Sequence, residues 1–180
     1  MEPALLDQER LSRRGGSGLT AADLIGCWRL DQVWPRRGTQ PSGLNSRLFR
    51  GLGAQLEIMA TDSPGDSTES QLRVRNSVRL GGLALQFEGP ARLQGRRPLL
   101  VFRFERLHLQ LGPWRALDRT LPVSEPFEAA PVGRLPFFAL IGLQDKGATL
   151  CARGRGGGLA QWRRSPISPL ARVRHDTPEP

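Results

Sequence analysis

Leu72-Arg73-Val74-Arg75-Asn76-Ser77-Val78-Arg79-Leu80 is the stretch on which the fold turns. Leu72, Val74, Val78 and Leu80 share one parity, and Arg73, Arg75, Ser77 and Arg79 share the other. Successive strand side chains point to opposite faces, so the alternation predicts a half-buried strand of an antiparallel sheet. Asn76 falls on the apolar face. Buried polar atoms are nearly always paired, so Asn76 either bonds a neighbouring backbone group or meets something held inside.

Downstream, Gly81-Gly82 turns the chain. Leu83, Leu85, Phe87, Ala91 and Leu93 then keep one parity across Gly89-Pro90, where proline predicts a bend or an edge position. After a turn at residues 95–98, Leu100, Phe102 and Phe104 face one way, while Leu107, Leu109 and Leu111 have the opposite parity. A parity switch inside one run predicts a β-bulge, here near Glu105-Arg106. Residues 112–136 carry Pro113, Pro122, Pro126, Pro131 and Pro136 with Trp114 and Phe127 among them. A connection of that length is usually functional. It is expected to cover the barrel mouth as a lid or to enter a lipid headgroup layer, with Trp114 at its interface. Strands are predicted again at 137–141, 148–153 and 159–163, with a tight Gly-rich connection at 154–158. From Ser165 the Pro-rich, charged tail is expected to be disordered.

Upstream, residues 55–60 predict a strand, 61–70 an exposed loop and 45–52 a short helix. Leu24-Ile25-Gly26-Cys27-Trp28-Arg29-Leu30 opens the first strand, expected over 28–34. Thr20 offers an N-cap for a short helix over 21–25, with Asp23 in its first turn. Gly26 lets the chain turn out of that helix, and Trp28 is placed to plug the closed end of a barrel. Residues 3–14, with Leu5, Leu6 and Leu11, predict an amphipathic helix stopped by the Gly-rich hinge at 15–18. Many short strands with regular turns and few helices argue for an antiparallel β-barrel or sandwich, and a barrel removes exposed edges.

The chain has 180 residues, enough for one domain with a core that needs no disulfide or metal. The expected boundaries are an N-terminal extension at 1–18, a barrel domain at 19–164 and a tail at 165–180. Lys and Arg number 26 against 17 Asp and Glu, a net charge of +9, and Lys146 is the only lysine. Such a charge favours anionic surfaces, either acidic lipid or nucleic acid. The arginine bias also fits a GC-rich codon pool. Cys27 and Cys151 read as reduced, buried thiols of a cytosolic chain. No signal peptide or bilayer-spanning run is read, so membrane contact is expected to be peripheral.

Catalytic chemistry is not expected. His108 is the only histidine within the predicted domain, and the two cysteines provide no metal-ligand spacing. There is no Gly-x-Ser-x-Gly elbow, and the glycines at 154–158 lack the Gly-Lys-Ser/Thr ending of a phosphate-binding loop. Neither metal nor cofactor is expected.

Three motifs together resemble the plastid lipid-associated proteins, or fibrillins, of plastids and cyanobacteria. They are Leu24-x-Gly26-x-Trp28-x-Leu30, Val74-x-Asn76-x-Val78 and Arg153-Gly154-x-Gly156-Gly157-x-Leu159, in the family's order. Leu93-x-Gly95-x-Arg97-Pro98-Leu99 and Phe102-x-Phe104 fit its general course. The resemblance spans residues 19–164. It departs at Lys146-Gly147-Ala148, where the family usually carries an acidic, Tyr-containing stretch, and at Gln161-Trp162, where aliphatic or Phe residues are usual. It implies a lipocalin-like barrel that binds small lipophilic molecules and associates with thylakoid membranes or lipid bodies, without a reaction. By the same likeness, a cation of the last strand should lie beside Trp28. Arg163 or Arg164 is the first choice and Arg153 the next.

The expected interior comprises Trp28, Asn76, Leu85, Phe87, Phe102, Phe104 and Phe138, which either line a pocket or fill the barrel. The expected membrane-facing residues are Arg73, Arg75, Arg79 and Trp114. Gly26, Trp28, Arg153, Gly154, Gly156, Gly157 and Arg163 are the expected structural frame. The partners expected are a small lipophilic molecule and an anionic membrane surface, with the chain a monomer. Nucleic-acid binding is the alternative, through the Arg-rich strand face and Arg153-Gly154-Arg155-Gly156-Gly157-Gly158, which resembles Arg-Gly-Gly segments. The scarcity of aromatics outside the apolar faces argues against it.

Overall fold

The alternating stretch forms a strand, β3 (Leu72–Leu80), and the chain around it forms a closed antiparallel barrel. The computed structural model describes residues 3–36, 53–61 and 72–166. In chain order its elements are α1 (Pro3–Gly15), α2 (Ala21–Leu24), β1 (Gly26–Trp34), β2 (Gln55–Ala60), β3, β4 (Leu83–Gln94), β5 (Leu99–Phe102), β6 (Arg106–Leu111), β7 (Trp114–Thr120), β8 (Phe137–Gln144), β9 (Thr149–Gly154) and β10 (Leu159–Ser165). The ring runs β3-β2-β1-β10-β9-β8-β5-β4, and β4 pairs back on β3 to close eight strands. Ser165, expected to open the tail, is instead the last residue of β10, where it pairs with Cys27. The short helix expected at 45–52, nearly all of the loop expected at 61–70, and residues 167–180 lie outside the described residues.

The parity switch is a bulge that forks the sheet. One edge of β4 pairs with β3 from Leu83 to Ala91. Its other edge is shared, with Leu83 to Glu88 on β6 and Ala91 to Gln94 on β5. Between those ladders Arg103, Phe104 and Glu105 oppose only Gly89 and Pro90. The Arg103 and Glu105 amides still donate, to the Pro90 and Glu88 carbonyls at 3.1 and 2.8 Å. Proline is tolerated there because a bulge relaxes the demand for a ladder N–H. Gly89 is required by contact, since a Cβ on it would lie 1.9 Å from the Arg103 carbonyl oxygen. Past the kink, β5 goes on to pair with β8 and stays in the wall, while β6 pairs with β7 and leaves it. β6 and β7 therefore stand with the ends of β3 and β4 as a four-stranded apron beyond the barrel.

Three apolar clusters hold the molecule. Inside the barrel, Leu24, Trp28, Ile58, Leu72, Val74, Leu100, Leu140 and Leu150 are almost wholly buried. α1 lays Leu5 and Leu6 on the outer wall against Trp34, Ile141, Cys151 and Leu159. Residues 121–136 cover another part of that wall, where Phe127, Ala130 and Leu135 pack on Val101. Arg92 fastens this covering by donating to the Phe127 and Ala130 carbonyls at 2.6 and 3.0 Å, its guanidinium 4.7 Å from the Phe127 ring centre. Burial on both faces explains why β8 is apolar along most of its length. A second irregularity, between Leu140 and Gly142, turns Leu140 inward and Ile141 toward α1.

α1 is latched by charge. The Glu9 side chain is 4% exposed and meets Arg13 at 2.9 Å, Arg97 at 3.2 Å, and Nε and Nη2 of Arg153 at 2.6 and 2.5 Å. Burial alone would raise its carboxyl pKa. Hydrogen bonds and charge from Arg153 and Arg13 outweigh that and hold it down at about 2.

Candidate functional site

The inner end of the barrel is shut by α2 and Trp28. The Trp28 indole N–H donates to the Leu24 carbonyl at 2.8 Å, so the ring is buried with its polar atom satisfied. The cation beside it is Arg164, 4.3 Å from the ring centre. Arg164 also donates to the carbonyls of Asp23, Ile25 and Gly147 at 2.9, 3.0 and 3.3 Å. Arg163, the equal first choice from sequence, points outward, is 71% exposed and pairs with Asp31 at 3.0 Å. Trp162 faces inward, so the next inward position of β10 is Arg164. Gly26 has φ +142, and a Cβ there would lie 2.9 Å from Arg164 Nη1. A cleft of about 630 Å³ lies at this end beside Asp23, Lys146 and Arg164. No aromatic residue lines it, and the Arg164 donors that border it are spent on backbone carbonyls.

At the opposite end the inward side chains become half-exposed. Rings follow one another from Phe87 to Phe104, Phe102, Phe138 and Trp162, with centroids 5.4, 5.3, 5.3 and 5.1 Å apart. Phe102 and Trp162 are buried, whereas Phe87, Phe104 and Phe138 are half-buried. Asn76 sits in this ring of the wall, opposite Leu56 on β2 and Phe87 on β4. Gly154 of β9 pairs with Phe138 of β8, and a Cβ added to it would make ordinary contact with the ring edge at 3.9 Å. The deep half of the barrel is packed with side chains, and the mouth half offers aromatic surface. Of the interior residues expected from sequence, Phe87, Phe102, Phe104 and Phe138 meet in this chain of rings and Asn76 borders it. Trp28 is the plug at the far end.

Leu85 belongs to the apron. Cross-strand partners share a face, so the register places Leu80, Leu83, Leu111 and Trp114 in one row across four strands. Val78, Leu85, Leu109 and Leu117 form the next row, and Asn76, Phe87 and Leu107 with Arg119 the third. The apolar lining of the mouth thus runs without interruption onto the apron. At its tip the row is open to solvent, with Leu80 62%, Leu111 57% and Trp114 76% exposed. The two hairpin tips are tied by the Gly112 amide, which donates to the Gly82 carbonyl at 2.7 Å. The other face is polar, carrying Arg79, Gln110 and Arg115, then Ser77, Gln86, His108 and Asp118. His108 Nδ1 lies 3.1 Å from the Asp118 carboxylate there, away from the mouth.

The structure redistributes the expected cations. Arg73 pairs with Glu88 at 3.1 Å, and Arg75 with Glu57 at 2.8 Å and Glu88 at 3.2 Å. These two are strand-to-strand ties, so their charge is already neutralised. Arg79 is exposed, and no carboxylate partners it among the described residues. Arg153 is committed to Glu9, and Arg155 donates to the Leu135 and Gly133 carbonyls. Gly156 and Gly157 form the β9–β10 turn, closed by the Gly157 amide on the Gly154 carbonyl at 2.8 Å. The Arg-Gly-Gly-like segment is therefore a structural corner whose cations are engaged. Cys27 and Cys151 are buried and form no disulfide, and burial with the Glu57 charge pushes the Cys27 thiol up.

The lid expected from residues 112–136 is divided. Trp114 to Thr120 form the outer strand of the apron, and 121–136 pack on the outer wall through Phe127. The apron's second strand pair was not anticipated. Its signal in the sequence is the Leu-Gly-Pro-Trp corner at 111–114, where a turn separates Leu111 from an equally apolar Trp114.

No protein-family model matches this chain, and a search of curated proteins finds no similar one.

Proposed function

We propose that this chain is a non-enzymatic binding protein of the plastid lipid-associated type. Its barrel mouth holds the apolar part of a small lipophilic molecule, and it works as a cytoplasmic monomer, peripherally attached to thylakoid membrane or lipid bodies. The observation that carries the proposal is the run of rings from Phe87 to Phe138, in which Phe87, Phe104 and Phe138 are half-buried, and which continues onto the apolar face of the apron. Ligand sites are mostly apolar surfaces with few polar groups. Here Asn76 is a polar side chain in the register row of Phe87, suited to orienting a hydroxyl or carbonyl. With the deep half of the barrel filled, the ligand lies across the mouth and not along the barrel axis.

The test is binding of cis-parinaric acid, a fluorescent polyene fatty acid, followed by its emission increase and by energy transfer from tryptophan. Saturable binding, weakened about tenfold by Phe104→Ala, is the expected result. An unchanged affinity in that variant overturns the mouth as the site. Mass spectrometry of lipid extracted with the native protein then names the ligand.

A further inference from the structure

We propose that the tip of the apron is a docking wedge for an anionic lipid leaflet, with Leu80, Leu83, Leu111 and Trp114 entering the acyl boundary. This deepens the membrane association proposed above and rests on it. Leu80 and Leu111 are more than half exposed, Leu83 is 39% exposed and Trp114 76%, all in one register row at the end of two tied hairpins. A contiguous apolar row at the outermost edge of a chain marks an interaction site. Tryptophan is the side chain most at home at a membrane interface, its ring apolar and its N–H wet.

Charge selects the partner. Arg79 lies one residue from the tip on the polar face, at the register step of Arg115, which pairs with Asp118 at 3.0 Å, and Arg119 lies at the inner end of the apolar face. Arg79 and Arg119 are exposed, and no carboxylate partners either of them among the described residues. Arg79, set just behind the apolar edge, sits at headgroup depth when that edge inserts, and Arg119 faces the leaflet from two rows farther back, so that acidic lipid attracts both. A second copy of the chain fits less well, since it would bring the same arginines and another net charge of +9 against them. Inserted this way, the apron carries its apolar face, and with it the aromatic mouth, against the lipid. The ligand then has an apolar path between bilayer and barrel along the rows from Leu83 through Leu85 to Phe87.

The experiment uses the full chain with vesicles of phosphatidylcholine alone, or mixed with phosphatidylglycerol, some carrying brominated acyl chains. Trp28, Trp34 and Trp162 are buried, so the difference in emission between the parent and Trp114→Phe reports Trp114. The expected result is binding to the anionic vesicles that falls with salt, a blue shift of Trp114 and its quenching by the brominated chains. Affinity should fall about tenfold in a Leu80→Ser, Leu83→Ser, Leu111→Ser variant, whose changes are all at exposed positions. It should fall severalfold in Arg79→Gln with Arg119→Gln, a pair that tests the proposal even if the triple variant misfolds. Vesicle binding without Trp114 quenching, or unchanged in both variants, overturns the wedge and leaves peripheral association standing on another surface. No vesicle binding overturns both. A lipid-free dimer that the triple variant dissolves assigns the patch to a second copy and overturns the wedge. Parinaric acid binding in the same samples reports the mouth independently.

Discussion

At the residue scale, Trp28 combines burial, a hydrogen bond and a cation over its ring. Its ring is fully buried, its N–H is bonded to Leu24 and Arg164 covers one face. Trp28→Ala is expected to cost about 3–5 kcal/mol, the usual loss for an aromatic removed from a core. Thermal melting measures it, and a variant melting within a few degrees of the parent excludes the anchor. At this scale the sequence was informative wherever a residue's parity could be counted. Trp28 as plug was legible, and so was a cation from the last strand. Choosing between Arg163 and Arg164 needed only the inward parity of Trp162. The fate of Arg73 and Arg75 was not legible. Their partners, Glu88 and Glu57, lie 13 to 18 positions away and meet them only through strand pairing.

Among the elements, α1 and the forked strand make separate predictions. Glu9→Gln leaves Arg13, Arg97 and Arg153 around a neutral amide, and breaking such a buried cluster is expected to cost about 3 kcal/mol. Because the folded carboxyl is held at about 2 against its ordinary 4.5, its contribution is complete above that ordinary value and is lost as pH falls through the window toward 2. Between neutral pH and about pH 3, urea melts should show a larger loss in the parent than in Glu9→Gln, which keeps the acid-sensitive Asp23 but not the Glu9 carboxylate. At the fork, Gly89→Ala forces the Arg103 carbonyl away, and an overpacking cost of about 3 kcal/mol is expected in the same melts. A cost below about 1 kcal/mol, the size of an ordinary surface change, would show that the bulge yields easily. The bulge itself was readable as a parity switch between Phe104 and Leu107. Its consequence was not, because a switch does not say which neighbour each half will take. Residues 121–136 have no periodicity, and their receiving surface is built by Val101 on the outside of a strand read for its inside. This is why they could be expected at the mouth and are found on the wall.

Across the whole molecule, the barrel was legible from the number and spacing of alternating runs, because alternation is the physical condition for a sheet with one wet face. What alternation does not encode is where the inner face stops being inside. Leu80, Leu83 and Leu111 have the parity of core residues and stand in solvent, since β3 and β4 outrun their neighbours in the ring. The closure of that ring has a consequence for how the chain reaches its native state. β3 with β4, and β6 with β7, are joined by short turns, so each pair can form from local contacts. β1 and β10 are brought together across nearly the full length of the domain, Cys27 beside Ser165. The entropy of closing so long a loop is repaid only when the seam zips. Until then Trp28 lacks Arg164 and the interior has one side missing. Hairpins first and seam last is the folding order expected from these contact separations, and the final strand carries both the seam and the cation that seals the plug.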